Sequence, residues 1–250
     1  MIITDELPSN AVLSVRHLTK TFGSVLAIDD VSLDVLTGEV LGIVGDNGAG
    51  KSTFLSLLTG YNHPDSGQFF YQGNVVRVSS PSHSRKDLKM EMIYQDLAMA
   101  PDLSVWQNLF IGQELRKGLF LDVKTMRQRA TQVLADMNTK IHPNEQISNL
   151  SGGERQLVAV ARALLFEREI VLMDEPTAAI SIAQVDRVMN TIKDLNQKGK
   201  TVILVSHRLE DIVNVCDRVA IFNRGRISDI VQNDGLTVSE LIHLMFSVTP

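Results

Sequence analysis

Hydrophobic and polar residues partly alternate along the N-terminal part of the chain. The stretch VLSVRHLTKTFGSVLAIDDVSLDVLTGEVLGIVG is rich in Val, Leu and Ile, and it is interrupted at Gly23 and at the turn Thr37-Gly38-Glu39. Alternation with a period of two is typical of half-buried strands, and glycine-containing breaks separate one strand from the next. The pattern therefore predicts a series of β-strands at the start of the chain.

A change of period follows the short apolar run at residues 41–44. The run ends in Gly45, and after the loop DNGAGK the apolar positions have helical spacing: Phe54, Leu55, Leu57 and Leu58. This order predicts a strand, a glycine-rich loop and a helix. After the turn-rich YNHPDSG, the pieces QFFYQGNVV and EMIYQD have the composition of further strands.

Residues 102–167 have helical periodicity. The pieces WQNLFIGQELRKG, DVKTMRQRATQVLADM and GERQLVAVARALLFE predict a helical insertion. Strand patterns then return in EIVLMD and TVILVS, with the amphipathic IAQVDRVMNTIKDLNQKGK between them, and TVSELIHLMF predicts a last helix. The order strand, helix, strand implies a parallel sheet, so the expected fold class is α/β.

Composition and charge narrow the class of protein. The chain has 250 residues, 44% of them hydrophobic, and its 24 basic and 29 acidic residues give a net charge of −5. Nucleic-acid binding needs a clustered basic footprint, so we expect no nucleic-acid partner. The single Cys216 cannot form an internal disulfide, and no apolar stretch approaches the roughly 20 residues that a membrane span needs. We therefore expect a cytoplasmic protein.

The strongest motif is GDNGAGKS at residues 45–52, which matches GxxxxGK[ST] between the predicted strand and helix. Glycines allow consecutive backbone N–H groups to face an anion, and the helix N-terminus adds a positive partial charge. The lysine of this motif reaches the outer phosphates and the hydroxyl can bind Mg²⁺. This phosphate loop predicts binding of a nucleoside triphosphate. Its residues are Gly45, Asp46, Asn47, Gly48, Ala49, Gly50, Lys51 and Ser52.

Two acids follow the apolar run IVLM. Asp174 and Glu175 would stand at the carboxyl end of a buried strand, where open α/β sheets bind their ligands. In phosphoryl transfer one strand-end acid commonly holds the metal and another group orients the nucleophile, so we assign Asp174 to Mg²⁺ and Glu175 to the attacking water. The alternative is an acidic strand end that only faces solvent.

LSGGERQ begins a long helical pattern and allows two interpretations. Ser151 and Glu154 have the spacing of a capping box, which is a purely structural feature. A cap does not explain the two glycines, each of which costs up to about 1 kcal/mol relative to Ala in a helix. Gly152 and Gly153 would expose backbone N–H groups to an anion. We call residues 151–153 the signature turn.

Together these motifs resemble the ATP-binding subunit of ABC transporters. LSGGERQ is similar to the signature sequence of that family, IVLMDEP to its Walker B strand and the His207 of VSHR to its switch histidine. The resemblance covers nearly the whole chain. It implies a P-loop NTPase (RecA-like) core with a parallel sheet, an N-terminal antiparallel β subdomain and an inserted α-helical subdomain. A single cassette would comprise a core at 1–96 and 166–250 and a helical subdomain at 97–165.

The resemblance also implies roles for residues whose local patterns are uninformative. Phe22, otherwise an ordinary core or turn aromatic, occupies the place of an aromatic that stacks on adenine. Gln95, otherwise a polar loop residue, matches a glutamine that touches Mg²⁺ and the attacking water. His207, otherwise a histidine at a helix start, would contact the γ-phosphate. Thr53 extends the nucleotide-binding stretch.

Partners and cargo are likewise expectations from the resemblance. The family builds its ATP site from the phosphate loop of one copy and the signature turn of another, so a second copy and an integral membrane permease would be partners, with a periplasmic substrate-binding protein in the system. The cassette would sit on the inner face of the membrane. IYQDLAMAPDLSVWQNLFIGQEL and ELIHLM are similar to ATPases of monosaccharide importers, although Ser181 stands where many relatives have aspartate.

Three alternatives stay open at this point. The cargo could be another compound such as an amino acid. The chain could be a soluble ABC ATPase of DNA repair or translation, although those typically carry a coiled-coil insertion or a second cassette. A kinase or GTPase outside the family is opposed by LSGGERQ and by the absence of an NKxD motif in the sequence.

Overall fold

The computed structural model describes residues 6–94, 97, 99–178 and 180–246. Its N-terminal part forms an antiparallel sheet with the strand order β2-β1-β4-β5. The β4–β5 hairpin turns at Gln72 and Gly73, both with positive φ. The series of strands that the alternation predicts is therefore present. The four strands are β1 (Ala11–Phe22), β2 (Val25–Leu36), β4 (Ser66–Tyr71) and β5 (Asn74–Val76).

A second sheet has six strands in the order β12-β11-β3-β10-β9-β6. Its neighbouring strands run parallel, except for the antiparallel pair β11 and β12. The expected α/β fold with a parallel sheet is confirmed. The strands are β3 (Val40–Gly45), β6 (Met90–Ile93), β9 (Ile170–Asp174), β10 (Thr201–Val205), β11 (Arg218–Asn223) and β12 (Arg226–Gln232).

Eight helices are present in the described part of the chain. The predicted helices after the phosphate loop, in the insertion, between β9 and β10 and at the C-terminus are all found. They are α1 (Lys51–Leu58), α2 (Pro81–Lys86), α3 (Val105–Phe110), α4 (Val123–Asp136), α5 (Gly152–Leu165), α6 (Ile182–Gln197), α7 (Leu209–Val215) and α8 (Val238–Phe246).

One predicted helix ends early. The pattern WQNLFIGQELRKG predicts helix throughout, but α3 ends at Phe110 because Ile111 leaves the helical region and Gly112 has φ 74°. The chain then forms a small hairpin of β7 (Arg116–Lys117) and β8 (Phe120–Leu121). A helical spacing of apolar residues therefore does not by itself specify where a helix stops.

The six-stranded sheet is buried on both faces, and alternate residues of its strands enter different cores. Ile170 and Leu172 of β9 join the core between the two sheets and α1, whereas Val171 and Met173 join the core beneath α5 and α6. This arrangement is typical of parallel sheets covered on two sides. The sheet thereby holds the ends of β3, β9 and β10 side by side at one edge.

Helices α3, α4 and α5 enclose a third core. Trp106 and Phe110 of α3 pack with Leu134 of α4 and Leu165 of α5. Other residues of α5, among them Val160, pack in the core beneath the sheet. Helix α5 is therefore shared between the helical part and the sheet. Within the described residues, no helix is long and apolar enough to cross a membrane.

Candidate functional site

The phosphate loop connects the fully buried strand β3 to α1. The Lys51 side chain folds back over the loop, and its Nζ donates to the carbonyl oxygens of Gly45 at 2.6 Å and Asp46 at 2.9 Å. Burial lowers the pKa of Lys51, while the charges of Glu175 and Asp174 oppose that shift. The loop therefore holds a poorly hydrated cation beside two carboxylates, and an anionic ligand could add to its partners.

Helix α1 begins without a side-chain cap. Its N-cap residue is Gly50, with φ 106°, which has no side chain to accept a hydrogen bond from the first turn. A Cβ at Gly50 would lie 2.6 Å from the carbonyl oxygen of Ala27 in β2. The position therefore requires glycine for both its conformation and its close packing. The uncapped N–H groups of such a turn form an anion site.

The turn between β11 and β12 supports the phosphate loop from outside. The Gly225 N–H donates to the Ala49 carbonyl oxygen at 2.9 Å, and the Asp29 N–H of β2 donates to the Gly225 carbonyl oxygen at 2.8 Å. Beside the loop an open cleft has a volume of about 840 Å³ and includes Asn47 and Arg224 among its lining residues. The cleft places open space directly against the loop.

Phe22 lies at the hairpin end of β1, where it pairs with Val25 of β2. Its side chain is 44% exposed, and the Nζ of Lys20 lies 5.4 Å from the ring centroid. A core role for this aromatic is therefore wrong. Ala27 of β2, the strand paired with β1, lies against Gly50 of the phosphate loop. The exposed ring therefore stands on the strand pair that borders this loop.

Asp174 ends β9 beside the phosphate loop, and its carboxylate is incompletely satisfied. Burial and then the charge of Glu175 raise the pKa of Asp174, while an interaction with the Ser52 hydroxyl opposes the shift. Its Oδ1 atom is buried and has no hydrogen-bond partner in the protein. A partnerless buried carboxylate oxygen beside a serine hydroxyl fits a small divalent cation, which prefers oxygen ligands.

The described residues contain no group of three or more His, Cys, Asp or Glu side chains that could hold a metal. Within that part of the chain, His, Cys, Asp and Glu side chains therefore do not by themselves form a cation site. Mg²⁺ is commonly bound by one or two protein oxygens together with phosphates of the substrate and water. The pair of Ser52 and Asp174 agrees with that second type of site.

Glu175 follows Asp174 and adopts a backbone conformation that is uncommon for this residue type. Its φ is 50°, and its N–H donates to the Val205 carbonyl oxygen at the end of β10 at 2.8 Å. The Glu175 Oε1 lies 2.6 Å from Nε2 of His207. The ends of β9 and β10 thus bring the two predicted residues into contact. Such locally unfavourable backbone is frequent at functional sites.

His207 precedes α7, whose N-cap is Arg208. A second contact between the same two loops was not predicted from the sequence. The Thr177 hydroxyl donates to Asp211 Oδ2 of α7 at 2.7 Å, and both side chains are buried. Arg208 Nε lies 3.5 Å from Asp211 Oδ1. An acid in the first helical turn after SHR is the signal that could have identified Asp211.

The signature turn forms the capping box that its sequence allows. The N–H and hydroxyl of Ser151 donate to Glu154 Oε2 at 2.9 and 2.7 Å. These hydrogen bonds lower the pKa of Glu154. A Cβ on Gly153 would lie 2.8 Å from Cγ of Gln184 in α6. The contacts of this turn are therefore within α5 and with α6, and its role toward a nucleotide stays a prediction.

The structure brings together the phosphate loop, Asp174, Glu175 and His207. Phe22 lies on the neighbouring strand pair, and the signature turn packs on α6. Gln95, predicted to act in catalysis and metal binding, lies outside the described residues.

Comparisons with known proteins identify the family of the chain. Residues 28–178 match the family described as ABC transporter. The chain is 39% identical over 237 residues to the xylose/arabinose import ATP-binding protein of Sulfolobus acidocaldarius, with 94% of each chain covered. It is 36% identical to the fructose import ATP-binding protein of Rhizobium meliloti, with 94% of this chain and 93% of the relative covered. A ribose import ATP-binding protein of Rubrobacter xylanophilus is 36% identical, but the chain spans only 47% of it.

Solved structures with the same fold include cassettes with bound nucleotide products. An ATP-binding cassette of an ABC transporter in its ADP conformation has a TM-score of 0.81 and 25% identity, with 94% of both chains covered. A dimeric cassette in a post-hydrolysis state, bound to ADP and Pi, has a TM-score of 0.74 and 26% identity, with 90% of this chain and 100% of that chain covered.

Proposed function

The chain belongs to the ABC transporter family of ATPases, and from this premise we propose that it energises the import of a monosaccharide. The geometry that carries the hydrolytic part is the 2.6 Å contact between Glu175 and His207 beside the phosphate loop. The similarity to xylose/arabinose and fructose import proteins over nearly the whole chain supports the choice of cargo.

We propose that Glu175 is the general base of ATP hydrolysis. Its carboxylate takes a proton from water as the water oxygen forms a bond to the γ-phosphorus and the bond to the bridging oxygen of ADP breaks. His207 holds the carboxylate through its Nε2 in the structure described, and in the ATP-bound state its N–H donates toward the γ-phosphate instead. Lys51 and the N–H groups of α1 bind the phosphates and stabilise the charge that develops on them.

Ser52 and Asp174 are the residues that would hold Mg²⁺, with Gln95 as a further proposed ligand. The cation would neutralise negative charge on the phosphate oxygens when it is bound. Asp174 itself, with its partnerless buried oxygen, provides the anionic end of this pair. We further propose that Phe22 stacks on the adenine ring, for which its exposed face is suited.

The second half of the site comes from another copy in this proposal. The signature turn of one chain, Ser151 with Gly152 and Gly153, would close on the ATP held by the phosphate loop of its partner. The dimeric cassette among the solved relatives supports this assembly. We also propose that the helical part at 97–165 contacts an integral membrane permease from the cytoplasmic side, and that a periplasmic sugar-binding protein delivers the cargo.

Glu175→Gln is the test of the hydrolytic assignment. The amide cannot accept the proton, so we expect turnover to fall by about 10²- to 10⁴-fold while ATP binding is retained. Steady-state phosphate release and titration with a fluorescent ATP analogue measure the two quantities. Glu210→Gln, a change of an exposed acid in α7, is the matched control. Near-normal hydrolysis by Glu175→Gln would exclude Glu175 as the base.

The cargo is tested separately in cells that lack this gene. We expect uptake of labelled xylose, arabinose, ribose or fructose to fall in the deletion strain and to return with the native chain but not with Glu175→Gln. Normal uptake of all these sugars together with lost uptake of an amino acid would overturn the sugar assignment and leave the ATPase assignment intact.

A further inference from the structure

The hairpin β7–β8 connects α3 to α4 and presents an apolar tip to solvent. Arg116 pairs with Leu121 and Lys117 with Phe120, and the turn consists of Gly118 and Leu119. The positive φ of 64° at Gly118 suits the first position of a tight two-residue hairpin turn. The tight turn places Leu119 at the apex.

The three apolar residues of the tip are highly exposed. The exposed fractions are 95% for Leu119, 79% for Phe120 and 50% for Leu121, and Leu119 is the most exposed large hydrophobic residue in the described part of the chain. Isolated surface apolar residues need no explanation, but three consecutive ones at a projecting tip indicate a contact surface. The β4–β5 hairpin, by comparison, exposes Val75 without such a cluster.

The base of the hairpin is anchored to the rest of the protein. The Asp122 N–H donates to the Leu115 carbonyl oxygen at 2.8 Å, and Arg162 donates to the Ile111 carbonyl oxygen at 3.1 Å. Arg168, a buried side chain, donates to the side-chain oxygen of Gln113. The backbone that carries the tip is therefore held in place before any contact.

Charge distinguishes which partner the tip fits. Residues 115–121, LRKGLFL, contain Arg116 and Lys117 and no acid, although the whole chain carries a net charge of −5. Directly paired residues share a face of a hairpin, so each face combines one cation with one apolar side chain. The nearest acids, Glu114 and Asp122, stay anionic but lie at the base of the hairpin and not at its tip, where Asp122 caps α4 and Glu114 accepts from the Gly112 N–H.

We propose that this hairpin docks on an anionic phospholipid surface, with Leu119 and Phe120 in the interfacial region and Arg116 and Lys117 among the headgroups. Apolar side chains at the tip that enter the interface, with cations next to them that contact the headgroups, are the chemistry by which peripheral proteins bind such interfaces. The proposal is consistent with the membrane location proposed above. Its test uses the chain alone, so it can fail while the ATPase and import assignments stand.

Co-sedimentation of the full chain with vesicles tests the proposal. One set of vesicles contains phosphatidylcholine with a third phosphatidylglycerol, and the other contains phosphatidylcholine only. We expect the native chain to bind the anionic set at low ionic strength and to lose most of that binding in high salt. Leu119→Ser with Phe120→Ser should weaken binding about tenfold or more, because the apolar area at the tip is lost.

Arg116→Gln with Lys117→Gln should weaken binding to the anionic vesicles on the order of tenfold. Val75→Ser, which removes an exposed apolar residue from the other hairpin, should change nothing. Thermal unfolding of each variant verifies that it is folded. Equal binding by the native chain and the tip variants would overturn the proposal. Absence of native binding to both vesicle sets would also overturn it. So would a result in which the tip variants keep vesicle binding and lose only self-association or co-purification of the permease.

Discussion

Helices α1 and α5 both begin at glycine-containing turns, but they treat their N-terminal N–H groups in opposite ways. Helix α1 has Gly50 at its N-cap, no side-chain cap and a buried lysine folded over the loop. Helix α5 has Ser151 at its N-cap, and Glu154 completes a capping box with it. The turn before α1, which we call the open turn, has no side-chain cap, whereas at the turn before α5, the closed turn, the Ser151 hydroxyl accepts from the Glu154 N–H.

The difference shows how the two turns could divide one task. The N–H groups of an uncapped turn and a desolvated cation beside it are stabilised when an anion binds. The phosphate loop of a single chain is therefore ready to bind its ligand. The signature turn has no such need, and an arriving phosphate would have to compete with Glu154 for the Ser151 hydroxyl. The comparison therefore agrees with a site in which the phosphate loop binds first and the signature turn closes later.

Lys51→Ala removes the cation from the open turn and should have the largest effect on binding. A hydrogen bond to a charged group contributes about 1.5–3 kcal/mol, so ATP affinity should fall roughly 10- to 100-fold. Titration with a fluorescent ATP analogue measures the loss. Lys140→Ala, a change of an exposed lysine, is the control. Unchanged affinity in Lys51→Ala would mean that the open turn is not the phosphate site.

Adding a methyl group at the two turns should separate stability from function. Gly50→Ala forces a left-handed conformation and a contact with the Ala27 carbonyl oxygen, so it should lower the free energy of unfolding by at least about 1–3 kcal/mol. Gly153→Ala places its Cβ 2.8–3.0 Å from Cγ, Cδ and Cβ of Gln184. Its gain in helix propensity offsets part of the cost of moving that side chain, so the free energy of unfolding should fall by less than in Gly50→Ala. Urea denaturation measures both values.

The turnover of Gly153→Ala tests the signature turn separately from stability. If a phosphate approaches the backbone at Gly153, the added methyl group should reduce ATP hydrolysis about tenfold in a stably folded protein, and most clearly at protein concentrations that favour dimers. Full activity of Gly153→Ala would mean that no phosphate approaches the backbone at this position. Packing on α6 would then be the remaining reason for a glycine there.

Local signals predicted the open turn better than the contacts around it. The run at residues 41–44, the glycine loop and the helical spacing from Phe54 define β3, the loop and α1, because each depends on near neighbours in the chain. The support from Gly225 was not predicted, since it comes from a β11–β12 hairpin far away in the sequence. Likewise Glu175 and His207 were identified singly, and their contact depends on the neighbouring strands β9 and β10.

The hairpin β7–β8 shows where periodicity misleads. WQNLF has helical spacing that continues into IGQELRKG, but the positive φ at Gly112 ends the helix, and a spacing argument gives little weight to one residue.

The capping box at the signature turn is the opposite case. Ser151 and Glu154 were recognised from four adjacent positions, and the structure forms the bonds as predicted.

The smallest expected effect tests the closed turn itself. Ser151→Ala and Glu154→Ala each break the capping box, so each should lower the free energy of unfolding by about 1 kcal/mol at neutral pH. The hydrogen bonds from Ser151 hold the pKa of Glu154 below its ordinary value of 4.5. A depressed carboxyl pKa contributes stability above the unfolded pKa and loses it as the pH falls through the folded one. The deficit of Ser151→Ala should therefore shrink below about pH 4.5.

Activity then distinguishes a cap from a ligand-binding group. Glu154→Ala removes the competitor of an arriving phosphate and leaves the Ser151 hydroxyl in place, so its turnover should equal or exceed that of the native chain. Ser151→Ala removes the hydroxyl itself and should hydrolyse ATP more slowly at the same stability. Equal turnover in the two variants would restrict Ser151 to capping α5, and only the open turn would then retain a role in binding the nucleotide.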